Sequence, residues 1–267
     1  MSGDPCYGSC DLDLDSLGMA EILLHIGHAP VDYHEGVMYE YYPVEIDPAY
    51  IADVVPYLSQ KRVGLVTVIQ HVHCILLIQT ELQKQGIEAV VKSGGPRTPK
   101  PGQILGCSYE AATATGCQEI LYVGTGLFHP LGVQIATDAR VIALDPVTGD
   151  IREVSGERMM RIRFGLIEKA KQADRFGILL STKTGQRREE LACSLASLHP
   201  HAVIITIREV RSDQLLNLGF PCYVNTACPR LAYDDQDMFP VPVITPQEFE
   251  IICGVRKWEE YEVDQIP

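Results

Sequence analysis

Arg62-Val63-Gly64-Leu65-Val66-Thr67-Val68-Ile69 is an apolar run of strand length, followed by a helical pattern that closes at Gln85-Gly86 and by a second apolar run, Ile87-Glu88-Ala89-Val90-Val91. That order is strand, helix, strand, the unit from which parallel sheets are built. Outward from it the alternation continues. Cys107 leads into an alanine- and threonine-rich helix ending near Gly116, and Ile120-Leu121-Tyr122-Val123-Gly124 and Val141-Ile142-Ala143-Leu144-Asp145 are two more buried strands, four in this block. The next block opens with a basic helix over residues 156–175. It repeats the pattern with strands at 177–182 and 202–207, helices at 187–199 and 212–218, and a strand over residues 222–229 that finishes on Cys228. Toward the amino terminus, Glu21-Ile22-Leu23-Leu24-His25-Ile26-Gly27 reads as a buried strand, followed by a His-, Tyr- and Pro-rich loop through Pro43. The predicted fold is α/β, with three pseudo-repeated βα domains at residues 1–60, 61–150 and 151–267 and parallel sheets covered on both faces.

The composition, 46% hydrophobic and 21% charged, supports a packed core. A formal net charge of −13 lacks the basic footprint that nucleic-acid binding needs. No apolar run approaches the roughly 18 to 20 residues of a membrane span, and the first residues lack the basic-then-apolar pattern of a signal peptide, so a cytoplasmic protein is expected. Nine cysteines in such a chain point to metal ligands and packed thiols rather than a disulfide framework. Cys74, Cys117, Cys193 and Cys253 sit in apolar or helical context and are assigned to the core.

Gly3-Asp4-Pro5-Cys6-Tyr7-Gly8-Ser9-Cys10-Asp11 is a glycine-punctuated loop whose backbone can approach a ligand closely, and it reads as a metal-binding loop or as a flexible terminus with incidental thiols. Cys6 and Cys10 have the first half of the C-x3-C-x2-C pattern of most radical S-adenosylmethionine enzymes, but Asp13 holds the third place. The two larger blocks each carry a cysteine in a corresponding region, Cys107 before a third strand and Cys228 at the end of one. Three units facing one another with their strand ends could bring Cys10, Cys107 and Cys228 to one point. Three such thiolates suit an iron–sulfur cluster with one iron lacking a protein ligand, or a zinc site with an open position.

Other motifs are weaker. His71-Val72-His73-Cys74 offers two imidazoles on one face if extended, either a metal clip or polar residues closing a strand. Val123-Gly124-Thr125-Gly126-Leu127-Phe128-His129 follows a strand and opens a helix, but His129 replaces the third glycine of the dinucleotide fingerprint. The turn can still offer backbone donors, and Asp145 ends the next strand where a ribose hydroxyl would bind; a tight turn and a strand-end aspartate are the plain alternative. Lys183-Thr184-Gly185-Gln186-Arg187-Arg188 is a strand-to-helix turn with cations and amides suited to a carboxylate, without the phosphate-loop order.

Taken together, the opening loop, Gly102-Gln103-Ile104-Leu105-Gly106-Cys107, the turn from Val123 to Pro130, Ser181 to Arg188, and Val224-Asn225-Thr226-Ala227-Cys228-Pro229-Arg230 resemble the archaeal diphthamide synthases, the 2-(3-amino-3-carboxypropyl)histidine synthases, in the same order over nearly the whole chain. The resemblance implies a homodimer of three-domain subunits, each holding a 4Fe-4S cluster on one cysteine per domain, here Cys10, Cys107 and Cys228. It implies cleavage of the sulfur to γ-carbon bond of S-adenosylmethionine by an electron from an external donor. The 3-amino-3-carboxypropyl group would pass to a histidine of translation elongation factor 2, the first step of diphthamide formation. On that reading Gly124, Gly126, His129 and Asp145 serve the nucleoside side, and Gln186 and Arg187 the amino-acid end. Met1 stands nine residues before Cys10, so the first domain is expected to be trimmed at its amino terminus. The reading from another class is a non-catalytic iron–sulfur scaffold or electron carrier, and a zinc hydrolase is a third.

Overall fold

The computed structural model describes residues 6–266, so Gly3, Asp4 and Pro5 of the opening loop lie outside the described residues. The chain forms two compact units, one running up to Gly156 and one of Glu157–Ile266.

The first unit holds two sheets. In the smaller, β1 (Leu23–Ile26) and β2 (Val37–Glu40) pair in parallel, Leu23 opposite Val37 and Ile26 opposite Glu40. This corrects two expectations. β2 lies inside the segment read as loop, and β1 is not a buried strand: His25 is buried, whereas Leu24 and Ile26 are more than half exposed. A two-stranded ribbon covers only one of its faces, so the apolar run does not report burial on both sides. Pro48 then starts α1 (Pro48–Val54), capped by the Asp47 carboxylate, which accepts the N–H of Ala49 at 2.9 Å.

The larger sheet alternates β3 (Arg62–Thr67), α2 (Ile75–Lys84), β4 (Glu88–Val90), α3 (Glu110–Thr113), β5 (Glu119–Val123), α4 (Phe128–Thr137) and β6 (Arg140–Leu144), then adds β7 (Ile151–Val154). Its order is β4-β3-β5-β6-β7, parallel except for β7 against β6. There are five strands where four were read. The middle residues of β7, Arg152 and Glu153, are exposed and charged, so this edge strand carries no apolar run to announce it. Ile51 and Val54 of α1 and Ile78 and Leu82 of α2 pack with Leu65, Leu121, Ile142 and Leu144 of the strands. Each such fully buried side chain contributes about 1.5 to 3 kcal/mol.

The second unit runs α5 (Glu157–Ala170), β8 (Phe176–Ser181), α6 (Glu189–Ala196), β9 (Ala202–Ile207), α7 (Ser212–Leu218), β10 (Tyr223–Asn225), α8 (Arg230–Tyr233), β11 (Val243–Ile244) and α9 (Pro246–Ile252). Its sheet, all parallel, is ordered β11-β10-β8-β9. The topology is that of the larger sheet of the first unit: the first strand takes the second on one side and the third on the other. Each sheet thus has a switch point, between β3 and β5 and between β8 and β10. β10 ends at Asn225, so Cys228 stands in the following loop rather than on the strand. Arg163 of α5 is buried and holds Glu248 of α9 through two hydrogen bonds, and its Nη1 donates to the Ala232 carbonyl at 2.6 Å.

The thiols distribute differently from the expectation. Cys74 is buried as expected, but Cys193 is exposed, Cys117 and Cys253 are half-buried, and the fully buried thiol is Cys222. Helical context alone did not tell which face of α6 carries Cys193.

Glu119 opens β5 and is 1% exposed. It accepts the N–H groups of Ser59 and Gln60 at 2.9 and 2.8 Å and the Ser59 hydroxyl at 3.0 Å, and pairs with Arg140. Burial alone would raise its pKa, but the Gln60 and Ser59 amides and Arg140 outweigh burial and hold it below the ordinary 4.5. Glu119→Gln should therefore cost about 2 kcal/mol at pH 7 in urea unfolding. The depressed folded-state pKa makes the wild-type contribution fully present above 4.5. It is lost as pH falls through the lower folded value, because the unfolded chain takes up the proton first. The gap between wild type and variant should narrow accordingly on the acid side.

Candidate functional site

Open parallel sheets bind ligands outside the carboxyl ends of their strands, at the switch point. In the first unit that point is bridged by Thr67 at the end of β3, whose buried hydroxyl donates to the Val123 carbonyl at the end of β5, 2.6 Å away. Residues 102–104 lie alongside Thr67, with Thr67 N–H to Gly102 O at 2.8 Å and Ile104 N–H to Thr67 O at 2.9 Å. The chain then doubles back. Leu105 and Ser108 exchange backbone bonds of 3.0 and 3.2 Å, leaving Gly106 and Cys107 at the tip of the turn. Tyr109 fixes this tip by donating its hydroxyl to the Gly106 carbonyl at 2.9 Å. Its ring lies so close over α4 that a Cβ on Gly132 would stand 2.0 Å from the phenol oxygen. Arg97 Nη2 is 4.0 Å from Cys107 Sγ, a cation placed to offset the charge of a thiolate.

Gln103 in the same loop is fully buried, and neither its amide oxygen nor its amide nitrogen has a hydrogen-bond partner among the described residues. An orphaned buried amide beside a strand-end loop is what a bound polar ligand would satisfy.

Gly124, Gly126, His129 and Asp145 all lie at the carboxyl ends of β5 and β6. Gly124 N–H donates to Leu144 O at 3.0 Å, which sets it beside Asp145. Gly126 has φ +75°, a left-handed turn that suits glycine. The His129 ring stacks over Tyr122 with centroids 6.3 Å apart, and a Cβ on Gly106 would stand 2.5 Å from the Phe128 ring, so this turn abuts the Cys107 loop. Asp145 Oδ1 accepts from Val147 and Thr148 N–H at 2.9 and 3.3 Å, closing its own turn.

Cys10 sits in a turn in which Asp11 N–H donates to Gly8 O at 3.0 Å, anchored by Ser9 Oγ to Ala29 O at 2.6 Å. Two imidazoles border it. A Cβ on Gly8 would lie 3.7 Å from Cys10 Sγ and 3.8 Å from the His28 ring, and His28 Nδ1 is 3.1 Å from His25 Nε2. Burial lowers the pKa of both, and for His25 the neighbouring His28 lowers it further. The sequence reading missed them, although His25 and His28 flank the end of the β1 run.

In the second unit Thr226, just past β10, repeats the bridge: its hydroxyl donates to Leu179 O of β8 at 2.7 Å. Cys228 follows two residues later, its carbonyl accepting from Asn225 Nδ2 at 2.8 Å. Residues 183–188 lie across from it with their cations engaged: Lys183 on Glu209 at 2.5 Å, Arg187 on Glu189 at 2.7 Å in an exposed pair, and Arg188 on Asp264. Gln186 is buried in the turn Thr184–Gln186. Arg188, which sequence reading passed over for its neighbour, points inward. Its Nε and Nη2 donate to the carbonyls of Thr226 and Ala227 at 2.8 and 3.0 Å, while Nη1 and Nη2 hold the Asp264 carboxylate at 2.7 and 2.8 Å. Burial raises the pKa of Asp264, and Arg188 opposes that shift.

His71 and His73 do not form a clip. The segment is a short 3-10 helix, Ile69–Cys74, and His71 Nδ1 faces the Val44 carbonyl at 2.9 Å. No described helix is long and apolar enough to cross a membrane.

Cysteine-bearing loops beyond the carboxyl ends of parallel strands mark the class, an α/β protein with open strand-end loops. Residues 1–262 match the family described as "Putative diphthamide synthesis protein". A 2-(3-amino-3-carboxypropyl)histidine synthase of Pyrococcus horikoshii is 34% identical, the alignment covering 100% of this chain and 80% of that protein. Subunit 1 of the Schizosaccharomyces pombe synthase is 30% identical over 98% of this chain and 65% of its own length. The crystal structure of Dph2 from Pyrococcus horikoshii with a 4Fe-4S cluster superposes with a TM-score of 0.91 at 31% identity, covering 99% of this chain and 80% of that one. The chain belongs to the diphthamide synthesis family, whose members named here are 2-(3-amino-3-carboxypropyl)histidine synthases, and is an enzyme.

Arg188→Ala should cost about 3 kcal/mol, because it leaves Asp264 buried without its cation and two carbonyls without their donor. Amide hydrogen exchange over residues 225–231 should accelerate, with Arg188→Lys intermediate because an ammonium cannot serve the same fork. Unchanged exchange in Arg188→Ala would mean that the Cys228 loop is held by other contacts.

Proposed function

We propose that the protein transfers the 3-amino-3-carboxypropyl group of S-adenosylmethionine to a histidine of translation elongation factor 2, the first step of diphthamide biosynthesis. It acts as a cytoplasmic homodimer fed by an external electron donor. The observation that carries this reading is a similarity to a named synthase that covers the chain from end to end, cysteine loops included. The donor chemistry fits the implied 4Fe-4S group. Cys10, Cys107 and Cys228 are partly exposed, none is in a disulfide, and each stands in a loop outside regular strands. Three thiolates would hold the cluster and leave one iron for a ligand other than protein. When bound, that group supplies the electron for cleaving a carbon–sulfur bond.

The chain's own residues have the tasks of holding the three sulfurs and orienting the substrate. Tyr109 and Arg97 set the Cys107 turn, Arg188 sets the approach to Cys228, and the turn at Gly8 sets Cys10. On this reading the three sheets correspond to the three domains. Gly124, Gly126, His129 and Asp145 receive the nucleoside. Gln186 and Arg187 receive the amino-acid end. The substrate carboxylate reaches Arg187 by exchange with Glu189, a pair exposed enough to cost about 0 to 1 kcal/mol to open. Orientation selects the product: with the γ-carbon of the methionine part aligned for cleavage, the nucleoside fragment is 5′-methylthioadenosine. For the homodimer, support comes from Leu24, Ile26 and Met38, exposed apolar side chains on one face of the β1–β2 ribbon.

Reduced, anaerobic protein incubated with S-adenosylmethionine and elongation factor 2 should give 5′-methylthioadenosine and a histidine peptide heavier by one aminocarboxypropyl group. Serine in place of Cys10, Cys107 or Cys228 should abolish both products and most of the bound iron, whereas Cys6→Ser and Cys253→Ser should keep them. Formation of 5′-deoxyadenosine would reject this reading, and iron retained by Cys228→Ser would reject the ligand set.

A further inference from the structure

Glu45, His73 and Cys74 form a compact donor group that takes no part in the three cysteine loops. His73 Nε2 is 3.3 Å from Glu45 Oε1 and 3.2 Å from Cys74 Sγ, and Cys74 Sγ is 3.9 Å from Glu45 Oε2. All three residues have a ligand atom within 4.8 Å of the others. Tetrahedral bonds of about 2.3 Å to sulfur and about 2.0 to 2.1 Å to nitrogen and oxygen place donor atoms about 3.3 to 3.6 Å apart. The His73–Glu45 and His73–Cys74 edges fall within a few tenths of an ångström of that spacing; the 3.9 Å Cys74 contact is to the other carboxylate oxygen, Oε2, so the exposed carboxylate has to turn to present one oxygen to the ion. The likeness extends to the chemistry, since a thiol, an imidazole nitrogen and a carboxylate are the donor types that borderline-soft divalent ions take.

The site is also held in place. Val44 N–H donates to Gln70 O at 2.9 Å and the Val44 carbonyl faces His71 Nδ1 at 2.9 Å, so the residue before Glu45 is fixed to the 3-10 helix that carries His73 and Cys74. Ile46, the residue after it, is buried in the same core cluster as Cys74. The Glu45 and His73 side chains are 85% and 36% exposed, which leaves the ion a way in and room for water as a fourth ligand. A divalent cation takes the Cys74 sulfur as thiolate, with release of its proton.

We propose that Glu45, His73 and Cys74 bind a zinc-class divalent cation with one position open to solvent, a site separate from the residues assigned to the cluster. Bound there, the ion ties the connection ahead of α1 to the start of α2, and it stabilises the first unit by mass action.

The test uses the full-length wild-type protein and its His73→Ala and Glu45→Gln variants, both altered at exposed side chains. Each is dialysed anaerobically against micromolar Zn2+ and assayed for zinc and iron by mass spectrometry. Wild type is expected to hold more zinc per chain than either variant at sub-saturating zinc, a gap of about half a zinc where the variants' affinity is weaker by about tenfold and more where the loss is greater. Iron content should be equal in all three, so the zinc result stands whether or not the cluster reading does. With Co2+ in place of zinc, the difference spectrum between wild type and His73→Ala should contain a thiolate-to-cobalt charge-transfer band, which identifies Cys74 without altering a core residue. Equal zinc in the three proteins, or a cobalt difference spectrum without the sulfur band, overturns the proposal.

Discussion

Two threonine hydroxyls hold the places on which the rest of the site depends. A parallel sheet sends every strand out at the same end, and at the switch point the two neighbouring strands lead to helices on opposite sides, so nothing regular covers the last carbonyls. Buried and unpaired, each such carbonyl would cost about 1 to 3 kcal/mol. Thr67 donates its hydroxyl to Val123 O across β3 and β5, and Thr226 donates both its hydroxyl and its backbone N–H to Leu179 O across β10 and β8, a second bond on a carbonyl already paired. Both threonines are fully buried. With the end of the sheet closed by a side chain, the adjoining backbone can be given over to loops, and it is these loops that carry Cys107 and Cys228.

The two larger sheets share one topology but place their cysteines at different steps of it. Cys107 precedes α3, between the second and third strands, whereas Cys228 follows the third strand, where the first unit has the turn with Gly126. Each loop consequently needs its own restraint. The Cys107 turn uses a phenol donated to Gly106 O and a close approach of Tyr109 to Gly132. The Cys228 loop uses the guanidinium of Arg188, which reaches two successive carbonyls and keeps its charge neutralised by Asp264. Charge-assisted bonds of this kind are shorter and stronger than neutral ones and suit a loop without a sheet partner.

The parallel cores were legible because their inner strands, β3, β5, β6, β8 and β10, are buried almost throughout and read as largely apolar runs, and the edge strands β4 and β9 keep enough apolar residues to continue the pattern. What escaped has a common physical cause. β2 and β7 lie in a ribbon and at a sheet edge, where one face is wet and the apolar signal is diluted, whereas β1 keeps its apolar run on the wet face as well, Leu24 and Ile26 being exposed. α1 and α9 are short, yet Asp47-Pro48 and Thr245-Pro246-Gln247-Glu248 carry their caps openly, the latter as a complete capping box. Of the candidate site, the sequence shows the loops in which glycines and cysteines cluster. It does not show which neighbour points inward: Arg187 and Arg188 are chemically identical, and only the register of the turn before α6 turns one to Glu189 and solvent and the other to Asp264. Gln103, Arg97, His25 and His28 were hidden for the same reason, since a polar residue in a loop announces burial only through its partners.

The nine cysteines show how far environment, rather than residue type, decides chemistry. Cys222 is wholly buried, and burial pushes its thiol far above the ordinary range, which leaves it a small apolar side chain. Cys253 caps the end of α9 with its pKa likewise raised by burial and by Glu250. Cys193 is exposed on a helix with no loop or turn to present it. Cys10, Cys107 and Cys228 share a different setting: partial exposure, a backbone fixed by bonds outside any strand, and, for the latter two, a place at the carboxyl end of a sheet switch point. Cys74 belongs to neither group, for its sulfur is buried on the core side yet faces an imidazole and a carboxylate on the other. Exposure ranks these thiols poorly, because Cys6 and Cys193 are both open, yet Cys6 stands 3.8 Å from His25 Nδ1 whereas Cys193 lies on an open helix face. What ranks them is whether the surrounding backbone is rigid enough that a bound ion need not order it, since ordering each loop residue costs about 1 to 2 kcal/mol that binding would otherwise retain.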